Sequence, residues 1–86
     1  MLAVKLIDKV WATIKPDSVN GLVFMLAEVI SGRGAGEHII VADILGAGIG
    51  DRVIVSTGSA AGKMLGDDNI PVDAVVIGII DPDCDF

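Results

Sequence analysis

Five runs of β-branched residues, each closed by Gly, Pro, Asn or Asp, divide this chain from end to end, and no stretch between them is long enough for a free-standing helix. That alternation confines the fold to strands joined by tight turns. Twelve Ile and eleven Val against one Trp, two Phe and no Tyr strengthen the constraint, because side chains branched at Cβ pack well on a pleated surface. Over residues 2–14 the period is two. Leu2, Val4, Leu6, Val10, Ala12 and Ile14 fall on one face and Lys5, Lys9 and Thr13 on the other. Asp8 breaks the apolar face, which predicts a bulge that turns its carboxylate to solvent.

The other four runs follow in order. Pro16 and Asn20-Gly21 mark a loop. Residues 22–30, apolar except for Glu28, read as a strand buried on both faces within a barrel or an oligomer. Residues 31–37 are Gly-rich and predict a flexible loop before a third strand over 38–45. Gly46-Ala47-Gly48-Ile49-Gly50-Asp51 is a tight connection into a fourth strand over 52–57, and a fifth covers 72–80. Ser59 is placed to cap a short helix over 60–65, which Gly62 weakens and which must therefore pack on the sheet. An acidic tail over 81–86 ends the chain. The expected architecture is all-β: a single domain over residues 1–86, a small five-stranded closed barrel akin to the oligonucleotide-binding fold, with one short helix. Closure is how so small a sheet avoids exposed edges.

Composition narrows the function. Twelve acidic against six basic residues give a net charge of -6, which repels nucleic acid and anionic lipid, and 3% aromatics leave few stacking platforms for bases. No apolar stretch approaches the ~18 residues of a membrane span. The lone Cys84 and a beginning without a basic segment and apolar h-region predict a cytosolic chain. With 52% hydrophobic residues in 86, there is more apolar surface than one small core can hold, which points to a buried subunit interface.

No cluster of reactive groups emerges. The glycines over 46–50 lead into a strand where a dinucleotide fingerprint would open a helix, and those over 32–36 lack the Lys-Ser/Thr end of a phosphate loop. His38 has neither a second His nor a Cys cluster to share a metal. Asp81, Asp83 and Asp85 surround Cys84 with negative charge, which disfavours a reactive thiolate, and Pro82 breaks any calcium-loop pattern. The expectation is no catalytic residue, no cofactor and no metal. Two other readings stand beside assembly. One is a monomeric or dimeric barrel that binds a peptide or small ligand through its loops. The other is an enzyme whose site is shared between subunits through His38, Asp43 or Asp73.

Val10-Trp11-Ala12-Thr13-Ile14-Lys15, Gly21-Leu22, the run from Val41-Ala42-Asp43 through Gly50-Asp51-Arg52-Val53, Gly58-Ser59-Ala60-Ala61, and the run from Pro71-Val72-Asp73 to Ile79-Ile80-Asp81 together form a pattern that spans the chain. In these runs the whole chain resembles the EutN/CcmL family of bacterial microcompartment vertex proteins. The resemblance implies a homopentamer at the five-fold vertices of a polyhedral protein shell in the bacterial cytoplasm, closing gaps left by hexameric shell proteins. Its role there would be structural and not enzymatic. Asp8 stands where the family often has Gly, and Gly62 where relatives often carry Arg. On this reading Gly46, Ala47, Gly48 and Ile49 lie near the five-fold axis or an intersubunit seam, because five identical loops approach closely only if they are small. Ser59, Ala60, Ala61 and Val76 are expected at or beside the interface.

Overall fold

A computed structural model describes residues 1–11, 21–58, 61 and 72–84. Five strands, β1 (Leu2–Val10), β2 (Val23–Ser31), β3 (His38–Asp43), β4 (Arg52–Thr57) and β5 (Ala74–Ile79), close into a barrel in the order β1-β2-β3-β5-β4. Every neighbouring pair is antiparallel except β3 and β5, which run parallel. β5 therefore lies between β3 and β4, with Thr57 at the end of β4 set against Ala74 at the start of β5, and it is the chain after β3 that passes this position to bring β4 beside β1.

Alternate residues point inward. Val4 and Leu6 of β1, Met25, Ala27 and Val29 of β2, Val41 of β3, Val53 and Val55 of β4, and Ala74 and Val76 of β5 form the barrel core. None is aromatic. A five-stranded barrel is too narrow for rings, and short branched side chains fill it in low-energy rotamers. Each fully buried Val or Leu contributes about 1.5–3 kcal/mol before chain entropy is set against it. A second, smaller cluster joins Ala42 and Val75 to Ala61, with Phe24 and Val72 packed beside them. The residue after Ala42 or Val75 belongs to the inner core or its rim, so this cluster lies on the outer side of β3 and β5.

The bulge foreseen at Asp8 is present. Leu6 pairs with Ala27 while Asp8 pairs with Leu26, so one residue of β1 is extra at this point. Asp8 is exposed, and its Oδ1 accepts the Lys9 N–H at 2.8 Å. That carboxylate satisfies a donor locally instead of leaving it on an open strand edge. A similar shift in the β4–β5 ladder sets Val55 against Val76 and Ile54 against Gly78, so Ile77 of β5 is extra there.

Several boundaries differ from the sequence expectation. β1 stops at Val10, and Trp11 stands outside it, exposed, with the Lys9 ammonium 5.4 Å from its ring centre. β2 is buried on one face only; Phe24, Leu26 and Ile30 on the other are partly buried in the single chain. β3 ends at Asp43, two residues early, because the Asp43 carboxylate takes the next available amides out of the ladder. β5 is confined to Ala74–Ile79. Residues 31–37, read as a flexible loop, form a hydrogen-bonded turn: Gly36 N–H donates to the Val29 carbonyl at 2.8 Å and Glu37 N–H to that of Gly34 at 2.9 Å. The helix expected over 60–65 lies outside the described residues apart from Ala61, which is buried and donates its N–H to the Gly58 carbonyl at 3.1 Å.

Candidate assembly surface

The connection between β3 and β4 is built by two carboxylates. Asp43, 8% exposed, accepts at Oδ1 from the N–H groups of Leu45 at 3.0 Å and Gly46 at 3.2 Å. Asp51 accepts at Oδ2 from Gly48 N–H at 2.8 Å, while its own N–H donates to the Gly48 carbonyl at 3.1 Å. Gly50 N–H then donates to the Leu6 carbonyl at 2.7 Å, and Leu6 N–H to the Asp51 carbonyl at 2.9 Å, so the loop is fastened to β1. Gly46 and Gly50 hold φ values of +77° and +92°, where a side chain would be strained. Gly48 is different: an added Cβ would meet only Asp51 Oδ2, at an ordinary 3.7 Å, so the isolated fold does not require its small size.

This wiring holds apolar residues out in water. Ile44, Leu45 and Ile49 are all exposed, Ile49 by 62%. Ala47 points the other way and packs against the end of the barrel core, so its substitution perturbs the barrel itself. The remaining residues assigned to the interface from sequence divide differently. Val76 is fully buried among the inner side chains of its own barrel, and Ala61 is fully buried against Ala42 and Val75. Both are sealed within the single chain, so any part they take at a seam is as support beneath it and not as contact surface. Ser59 and Ala60 lie outside the described residues.

Arg52, which the sequence marks only as part of the run from Val41 to Val53, organises the turn over residues 81–84. Its Nη2 donates to the carbonyls of Asp81 at 3.1 Å, Pro82 at 3.2 Å and Cys84 at 2.6 Å. The expected loose acidic tail is, over 81–84, a turn in which Asp81 Oδ1 accepts from Asp83 N–H and the Asp81 carbonyl from Cys84 N–H. Its signal in the sequence is slight: a cation that opens the fourth strand of a chain with net charge -6. Arg52→Ala is expected to accelerate amide exchange at Cys84 at least tenfold. Global stability should change by no more than about 1 kcal/mol, because these bonds are solvent-exposed. Hydrogen exchange read by NMR, beside a thermal melt, checks both.

At the opposite end of β3 the ladder to β5 is short among the described residues. The β3–β5 ladder contains only Ala42 against Val75 and Asp43 against Val76, so residues 38–41 have no ladder partner on that side among the described residues. A groove of about 630 Å³ fills the gap, walled by Leu26, Ile39, Ile40 and Ala74, with His38 and Asp73 beside them. Of the three residues considered for a shared catalytic site, His38 and Asp73 meet here, both exposed. Asp43 sits at the far end of β3 with its carboxylate committed to the loop. Among the described residues no group of three His, Cys, Asp or Glu side chains is arranged to hold a metal ion.

Comparison with known proteins places these surfaces in context. The family model described as "Ethanolamine utilisation protein EutN/carboxysome" matches residues 1–81. The carboxysome shell vertex protein CcmL of Gloeobacter violaceus is 44% identical over 69 residues, 78% of this chain and 69% of that protein. Its solved structure matches with a TM-score of 0.84 at 38% identity, over 94% of this chain and 86% of that one. The bacterial microcompartment shell vertex protein GrpN of Rhodospirillum rubrum is 40% identical over 81 residues, 90% of this chain and 89% of that protein. Its structure, described as a pentameric microcompartment shell protein, matches with a TM-score of 0.81 at 34% identity, over 94% of this chain and 95% of that one. The ethanolamine utilization protein EutN matches with a TM-score of 0.88 at 26% identity, over 99% of this chain and 91% of that one.

Proposed function

This chain belongs to the EutN/CcmL family, and from that premise we propose that it is a structural shell protein whose pentamers cap the five-fold vertices of a bacterial microcompartment in the cytoplasm. The observation that carries the reading is the end-to-end match with vertex proteins, one of them solved as a pentamer. The fold supports it physically. A ring with rotational symmetry needs two unlike faces on each subunit, and the chain presents exposed apolar residues at one end of β3 and an apolar groove at the other.

Three finer parts belong to the same proposal. The pentamer meets hexameric shell proteins, whose flat layers need a five-fold insert to close. The chain performs no catalysis: its similarity to shell vertex proteins supports this, as does the commitment of the Asp43 carboxylate to the amides of Leu45 and Gly46. Gly46, Gly48 and Ile49, on the carboxylate-fixed loop, lie near the five-fold axis or a seam, where the small size of Gly48 finds the use that the single chain does not give it.

Native mass spectrometry at several ionic strengths tests the reading. The purified chain is expected as a closed five-subunit species that persists at raised salt, because apolar contacts are not screened. Mixed with shell hexamers it is expected to yield closed particles, where hexamers alone give sheets or tubes. A well-folded monomer at every concentration would overturn the vertex reading and favour a ligand-binding barrel.

A further inference from the structure

We draw no further inference here: the strongest candidate, the apolar groove of about 370 Å³ that Met1, Leu2, Ala3, Ile54 and Ile80 wall beside the turn over residues 81–84, carries nothing because nothing in the structure shows what covers it.

Discussion

Val76→Asp is expected to leave no folded barrel at 25 °C. Val76 is fully buried in a core of aliphatic side chains and Met25, and its ladder partners are Val55 of β4 and the acidic Asp43 of β3, so a carboxylate there would meet a like charge. An unpaired charge in such a place costs several kcal/mol, against a total stability of about 4–13 kcal/mol for a chain of this length. Far-UV circular dichroism should show loss of strand signal, and the protein should move to the insoluble fraction. Val76→Thr separates the core role from a seam role. It keeps the shape and adds one buried hydroxyl, so it should cost about 1–3 kcal/mol and lower the melting temperature by roughly 4–8 °C per kcal/mol. The folded fraction of that variant should still form rings; rings lost at an unchanged melting temperature would return Val76 to the interface.

Asp43→Ala should have the second largest effect, and on assembly more than on folding. One buried carboxylate oxygen satisfies the amides of Leu45 and Gly46, and removing it leaves two donors in a partly buried turn without their acceptor. The expected loss is about 1–3 kcal/mol. On the proposed reading, in which this loop stands near the five-fold axis or a seam, a loosened loop must also be re-ordered each time subunits join, and a closed ring repeats that penalty five times. Rings of the Ala variant should dissociate at concentrations where the parent is intact, while monomers keep their circular dichroism. Asp43→Asn retains an acceptor of the same shape with a weaker, uncharged bond, and should recover most of the assembly. An Asn variant as defective as the Ala variant would mean that the charge, and not the acceptor geometry, matters at this position. Amide exchange at Leu45 and Gly46, faster in Ala and near normal in Asn, is the independent check.

Much of this molecule is legible in its amino-acid order. The five strands, the bulge at Asp8 and the closed barrel follow from a period of two, from an acidic residue interrupting an apolar face, and from turns rich in Gly. These are local rules, and they act within a few residues of the positions that reveal them. The family-like runs from Val41 to Val53 and from Pro71 to Asp81 pointed to the assembly role as well, and the family match does span residues 1–81. Strand ends are read less well. Ile44 and Leu45 look like a continuation of β3 by hydropathy. That Asp43 ends the strand depends on its side chain bonding two residues ahead, an Asp-turn signal that the apolar run conceals.

The candidate surface shows where local rules stop. Val76 and Ile40 are both aliphatic residues in strands, and nothing in their immediate sequence says that one is sealed inside the barrel while the other is half in water. That difference arises from which strands lie beside them. β5 is flanked by β3 and β4 at Val76, whereas Ile40 precedes the first β3–β5 pair among the described residues and lines a groove. In the same way Arg52 meets carbonyls some thirty residues away, a contact that no spacing announces. Sequence alone determined the strand content, the closed sheet and the surplus of apolar side chains, because these depend on each residue's own size, branching and polarity. Only the tertiary structure decided which part of that surplus faces water, because exposure depends on the register between strands far apart in the chain.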